Sequence, residues 1–304
     1  MKSRKPRVLF LFLDGVGIGG KKNNPFFVAK LPALRKLLGG AMPYHRDSRR
    51  ISNIASLVPL NATLGVPGLP QSGTGQATLL TGINAARIVG RHFGPHPYST
   101  LKPLIRDRNI FSQLRHNGKK VFFANAFPQR YFDYFKSHES RIPVIAFSWL
   151  STGMQLNTHE VLASGNACSA DITNEGWPRL GYPHMKTVTP QEAGRRLVTM
   201  LSDYDFILYE YYFTDDAGHR QSMPDAVGCL EKFDGMLEGI VDVFDWERML
   251  CIVTSDHGNV EDLSVKTHTR NPVPLLAFGK GHREFTDSVK SLTDITPALL
   301  KFIS

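Results

Sequence analysis

Six short apolar runs limit the architectures open to this 304-residue chain: residues 7–13, 120–124, 143–147, 205–211, 249–254 and 273–278. They are rich in β-branched or aromatic side chains, and several are too short for helices. Several are apolar throughout, and such runs predict strands buried on both faces, as in a parallel sheet. Helix-like stretches lie between them, at 29–38, 76–81, 104–115, 190–201, 224–243 and 297–302. Three of these open on proline behind Thr189, Met223 and Thr296, a residue suited to the first helical turn. Strand alternating with helix implies an α/β fold whose ligands gather at the carboxyl ends of strands. The rhythm breaks after residue 126, where Tyr, Phe, His, Ser, Asn and Pro replace long periodic segments. The expected organisation is a core of residues 1–126 and 187–304 with a small cap inserted at 127–186.

Composition narrows the function classes. No apolar run approaches the roughly 18 residues of a membrane span, and Val8 to Leu13 is too short, and too soon followed by Asp14, for a signal peptide. The expected setting is therefore cytoplasmic. The three cysteines, Cys168, Cys229 and Cys251, are far apart and form no C-x-x-C, so neither a disulfide frame nor a cysteine zinc site is indicated. The net charge of +9 is uneven, with twelve Lys or Arg in the first fifty residues against Asp14 and Asp47. No nucleic-acid motif or aromatic-interleaved basic repeat accompanies it, and a field that draws in a small phosphorylated substrate is the economical functional reading beside a merely solvated basic face.

The opening LFLFLDGVGIGGKK resembles two phosphate loops and completes neither. Gly15, Gly17 and Gly20 satisfy G-x-G-x-x-G, yet no acid follows at ribose-binding distance. Gly15, Gly20 and Lys21 fit most of a P-loop, but Lys22 stands where Ser or Thr should hold magnesium. Asp14 is the more informative residue, because other strands end the same way. The run FILYEYYFT leads into Asp215, Asp216 and His219; MLCIVTS leads into Asp256 and His257; His268 precedes NPVPLLAF. Taken singly, each acid reads as a turn or cap and each histidine as a satisfied core or surface residue. Delivered together to one rim, carboxylates and imidazoles are what a site for two divalent metals needs. The spacing from Asp215 to His219 sets both on one side of a helical turn. In QSGTGQATLLTG, a Ser in a Gly-rich turn opening a helix could aim its oxygen at a metal and act as an activated nucleophile, with helix amides receiving phosphate oxygens. The alternative is a plain helix cap at Ser72 or Thr74.

These segments resemble the alkaline phosphatase superfamily of binuclear metalloenzymes, most closely the catalytic domain of cofactor-independent phosphoglycerate mutase and its phosphopentomutase relatives. LFLDGVGIG, LGVPGLPQSGTGQATLLTG, YFTDDAGH, TSDHGNVED, HTRNPVP and the tail LTDITPALLKFI follow the family's order and cover roughly 200 of the 304 residues. The resemblance implies a three-layer α/β/α sandwich around a mostly parallel central sheet. It implies one metal on Asp215, His219 and His268 and another on Asp14, Asp256 and His257. Ser72 would be the nucleophile touching both, ahead of Thr74 and Thr78, and would form a phosphoserine intermediate. Two divalent ions are implied, and this donor mixture suits Mn2+ or Zn2+ better than Mg2+.

Two departures bear on the reaction. Only some sixty residues are free for a cap where the mutases insert a large domain, and Gln76 stands where they carry a histidine four residues after the nucleophile. A small cap shields a phosphoserine poorly from water. Hydrolysis of a phosphomonoester or diester is therefore the expected activity, with a phosphomutase or a catalytically inactive metal-binding relative as alternatives. A sulfatase is disfavoured because Gly-Thr-Gly follows Ser72. Asn125, Arg87, Arg91 and His92 are candidates for holding phosphate oxygens.

Overall fold

The computed structural model describes residues 6–43 and 49–303; Lys2, Arg4, Lys5 and Arg46 of the basic N-terminal run lie outside them. Among the described residues, nine strands occur in chain order: β1 (Arg7–Leu13), β2 (Arg50–Ile51), β3 (Ala55–Leu60), β4 (Val121–Phe123), β5 (Asn125–Ala126), β6 (Cys168–Ser169), β7 (Phe206–Tyr211), β8 (Met249–Thr254) and β9 (Val273–Gly279). Seven form one sheet in the order β2-β3-β9-β8-β1-β7-β4, while β5 and β6 pair separately. β1 lies parallel to both β7 and β8, and β4 parallel to β7. β9 runs antiparallel to β8 and to β3, so β3 points the same way as the parallel set. This mixed α/β sheet, flanked by helices, is the expected fold class.

The central strands are buried almost throughout, which is why they read as continuous apolar runs. Side chains alternate across the sheet, so Phe206 and Tyr211, five residues apart, face opposite sides. Phe206 meets Phe111 in helix Ile110–His116, whereas Tyr211 stacks on Phe233 in helix Met223–Asp242. Helices therefore cover both faces. On the Tyr211 side, helix Pro190–Met200 packs tightly on Met223–Asp242. A Cβ on Gly194 would collide with the Met236 carbonyl, and one on Gly239 with the Gln191 carbonyl.

Several sequence expectations are corrected. The run at 143–147 is not a strand but the start of helix Val144–Leu150, whose Val144, Ile145, Ala146 and Trp149 all join the main core. A short run buried all round carries no periodicity to separate helix from strand. Strand β3 escaped notice because Pro59 argues against a central strand. It is tolerated because β2 pairs only with Ser56 and Leu57, leaving no ladder bond for residue 59 to make on that edge. The last helix begins at Leu292, so Pro297 lies inside it and does not open it. Its ring packs against Gly82, where a Cβ would stand 2.7 Å from Pro297 Cδ. The stretch 104–115 is two helices, Lys102–Arg108 and Ile110–His116, divided where the Asn109 side chain accepts from Ser112 N.

Strand register brings the chemistry to one edge. Leu13 is level with Tyr211, and Phe12 with Thr254. The residues just beyond these three strand ends, Asp14, Asp215 and Asp256, therefore meet at the carboxyl rim.

Candidate metal centre

Each strand end turns sharply, and the local sequence permits it. Gly15 has a φ of +65°, and a Cβ there would collide with the Asp215 carboxylate. Gly17 and Gly258 both pack against Glu261, and a side chain at either would displace it. Helix Ser72–Thr81 starts at the same rim. Its Gly75 lets the backbone approach Asp256, where a Cβ would stand 2.9 Å from the Asp256 Cβ. The glycines of SGTG thus serve close approach.

Two groups of donors result. Asp215, His219 and His268 form one and Asp14, Asp256 and His257 the other, with ligand atoms in each group within 4.8 Å of one another. The groups adjoin, because the His257 and His268 rings stack with centroids 3.8 Å apart. Ser72 Oγ lies 3.0 Å from His257 Nε2, whereas the Thr74 and Thr78 hydroxyls donate to carbonyls of their own helix region, those of Gln71 and Thr74.

The donor set fits cations. A carbonyl can only accept, so His268 Nδ1 donates to the Pro70 carbonyl at 2.7 Å and His219 Nδ1 to the Lys266 carbonyl at 3.0 Å. Both rings then present Nε2 inward, and these two nitrogens lie 3.2 Å apart. Two lone pairs at that distance repel unless a cation sits against them. His257 Nδ1 faces the Gly258 carbonyl in the same manner, at 3.4 Å. Such backbone anchoring of the far ring nitrogen is how metal-binding imidazoles are oriented. Asp14 Oδ1 and Asp256 Oδ2 are buried with no hydrogen-bond partner, a costly state for carboxylates that a cation would relieve.

The electrostatics agree. Burial raises the Asp14 carboxyl above its ordinary value, with the Asp215 charge adding to the rise and His257 opposing it. Burial raises Asp256 well above the usual range, and the Asp14 charge pushes it further. Burial would lower the His257 imidazole, but the charges of Asp256 and Asp14 outweigh it and hold the pKa up to about 10. Burial and the neighbouring His257 lower His268 to about 4, keeping its Nε2 bare. Without metal, the cluster holds a proton where its crowded carboxylates call for positive charge.

Comparisons with known proteins agree with this geometry. The Metalloenzyme superfamily model matches residues 180–304, which carry five of the six donors. That C-terminal part of the chain is thus similar to metalloenzymes, and the curated relatives it resembles are phosphomutases. A 2,3-bisphosphoglycerate-independent phosphoglycerate mutase of Pyrococcus abyssi is 36% identical over 89 residues, 29% of this chain and 21% of the relative. One from Legionella pneumophila is 28% identical over 160 residues, 48% of this chain and 31% of the relative. A phosphopentomutase of a Methylobacterium species is 42% identical over 71 residues, 23% of this chain and 17% of the relative. The matches thus span a third or less of these relatives' length. Among solved structures, PH0037 from Pyrococcus horikoshii superposes with a TM-score of 0.60 at 17% identity, covering 99% of this chain and 97% of that one. Alkaline phosphatase from the Antarctic bacterium TAB5 gives 0.59 at 13% identity, with 99% of both chains covered. At these identities the superpositions speak for the fold.

Around these six donors lies a supporting shell that the sequence did not announce. Glu261 is fully buried and accepts from Gly17 N at 2.9 Å, Asn259 N at 2.8 Å, Asn271 Nδ2 at 3.0 Å and the Thr269 hydroxyl, tying three rim loops together. Asn259 Nδ2 donates to Asp215 Oδ1 at 2.6 Å. Ser255 Oγ accepts from Val16 N at 2.9 Å and donates to the His257 carbonyl at 2.9 Å. Gln76 Nε2 donates to Asp14 Oδ2 at 3.1 Å. An acid three residues past Gly258, in a motif already rich in ligands, was the available signal for Glu261.

A cavity of about 810 Å³ opens from Asp14, Ser72, Asp215 and His219. None of the four residues expected to hold phosphate lines it. Asn125 spends both ends of its amide on the Glu210 backbone, at 2.8 Å each, and so fastens β5 to β7. Arg87 is exposed in helix Ala85–Val89. Arg91 lies over the rings of Phe93 and Tyr98, and His92 Nε2 faces the Val66 carbonyl at 3.3 Å. The structure thus places these four outside the lining of the cavity.

Proposed function

We propose that the protein hydrolyses phosphate esters through Ser72, with one divalent cation on Asp215, His219 and His268 and a second on Asp14, Asp256 and His257. The observation that carries this reading is the pair of adjoining donor groups, with imidazole Nδ1 atoms turned to backbone carbonyls and Ser72 Oγ beside them. When bound, the two cations would supply Lewis acidity, lowering the pKa of the Ser72 hydroxyl and spreading charge on the attacking and leaving oxygens.

The chain's own residues do the rest. Ser72 is the first residue of its helix, and Gln71 gives no side-chain cap; the Thr74 amide donates to the Phe93 carbonyl at 2.8 Å, so it is chiefly the helix dipole that favours an anion at that end. Ser72 Oγ attacks phosphorus in line as the P–O bond to the leaving group breaks, and the hydroxyl proton ends on the departing alcohol, leaving a phosphoserine. Water then attacks that phosphorus, phosphate leaves, and the hydroxyl is restored. Gln76 holds Asp14 in place through its amide hydrogen bond.

Hydrolysis is favoured over a phosphoglycerate mutase activity by the cavity. Among the described residues, Arg130 is the single Lys or Arg lining it, too little positive charge to grip a sugar acid phosphate at both ends. The phosphomutase reading keeps support from the names of the curated relatives.

The test uses purified protein loaded with manganese or zinc on phosphate monoesters and diesters, with Ser72→Ala and Asp256→Asn as controls. Free phosphate, a phosphorylated Ser72 peptide by mass spectrometry, and loss of both in Ser72→Ala are expected. Transfer within a sugar phosphate without free phosphate would replace hydrolysis by the mutase reading. No bound metal by elemental analysis and no turnover with any ion would sink both.

A further inference from the structure

The helix Gln129–Ser137 has four aromatic residues among its nine, yet none of its residues is buried. Asp133 and Lys136 pair with each other on its wet side at 2.8 Å. Phe127, Tyr131 and Phe135, spaced four apart, form a contiguous row, with ring centroids 4.3 and 4.5 Å apart. With Tyr134, this row lines the cavity that ends at Ser72 and Asp14, and Tyr212 and Trp177 line the same cavity. The Tyr131 hydroxyl is buried without a hydrogen-bond partner. An aromatic row left facing an open cavity, carrying an unused donor, is unfavourable unless something covers it.

We propose that this wall receives the leaving group of the phosphate ester, and that this group is a flat, aromatic-sized apolar one bearing an acceptor for Tyr131 or Arg130. The inference rests on the hydrolase reading above. Continuity with the candidate nucleophile selects a substrate as the occupant, since the same cavity holds Ser72 at its floor and the aromatic row along its side. Its volume of about 810 Å³ is that of a drug-sized ligand site, and a three-carbon sugar acid would leave most of it to water. The low positive charge of the lining disfavours a polyanion, while the contiguous aromatic rings favour an apolar body.

The experiment compares primary-alcohol esters of similar intrinsic reactivity: ethyl, benzyl and 2-naphthylmethyl phosphate, with the metal-loaded full chain. The expected kcat/KM rises from ethyl to naphthylmethyl by roughly tenfold or more, as the added apolar surface is covered. In Tyr131→Ala with Phe135→Ala, that ratio falls to within about twofold of one. Binding of 2-naphthylmethyl phosphonate, read by fluorescence of Trp177 and the other tryptophans, should weaken in parallel. Tyr131→Phe, which keeps the ring, should retain the size preference and serves as a folding-safe control. Equal turnover of ethyl and naphthylmethyl phosphate would overturn this inference and leave the hydrolase reading standing. Phosphonate binding that the double variant abolishes, without turnover of any ester, would support the apolar site and sink the hydrolase reading. A dimer that dissociates in the double variant, with no ester preference, would assign the wall to a second copy and overturn the proposal.

Discussion

Replacing Glu261 with alanine should loosen the whole rim, and the size of the effect can be worked from its contacts. Its buried carboxylate accepts from two backbone amides, of Gly17 and Asn259, and from the side chains of Thr269 and Asn271. Hydrogen bonds to a charged group are worth about 1.5–3 kcal/mol each, and a buried donor left unpaired costs about 1–3 kcal/mol. Relief of the carboxylate's own desolvation opposes these losses, so the four contacts should not add in full. We expect a net destabilisation of about 3–5 kcal/mol for Glu261→Ala. The carboxylate also sets the loops carrying Asp14, His257 and His268, so metal affinity should fall about 10–100-fold. Urea unfolding in excess chelator isolates the first effect from the second, and isothermal titration with manganese measures the affinity. A Glu261→Ala variant within about 1 kcal/mol of wild type in chelator would refute the reasoning, because it would mean that water enters the space left by the carboxylate and satisfies the freed donors.

Four further outcomes follow from the same geometry. Gly15→Ala combines a left-handed backbone with a collision at the Asp215 carboxylate, and should abolish stoichiometric metal binding by elemental analysis while the chain still folds by circular dichroism. Chelator should lower the melting temperature of loaded protein, since ligand at 1,000 times its Kd contributes about 4 kcal/mol; an unchanged temperature would argue against tight ions. Burial, with the Asp14 charge adding to it, raises the Glu210 carboxyl from its ordinary 4.5 to about 8. Its contribution is therefore full below the unfolded value and lost as pH rises through about 8, by at most about 5 kcal/mol. Metal-free Glu210→Gln should lose less stability than wild type between pH 5 and 9 in urea titrations, and parallel curves would count against it. Gln76→Ala removes the hydrogen bond to Asp14 and should weaken metal binding several-fold without unfolding the chain, as read by titration and by thermal melting.

The sheet's centre and the candidate donors at its rim are legible in residue order. β1, β7 and β8 are legible because strands covered on both faces are apolar almost throughout, and acids within a few residues of three such runs point to one rim. Chain order cannot show which distant residues share a wall or where a loop points its side chains. Asn125, Arg87, Arg91 and His92 stand near the rim in sequence, yet Asn125 spends its amide on the Glu210 backbone, His92 faces the Val66 carbonyl, and none of the four lines the cavity. The run at 143–147 carried no period to reveal its helix, and Pro59 hid a strand whose partner stops short of it. That Glu261 binds three loops together, and that an aromatic helix lines the cavity, emerges from the folded chain alone. Both depend on close approach between segments far apart in the chain, where hydrogen-bond reach and packing are set by distances that residue order does not contain.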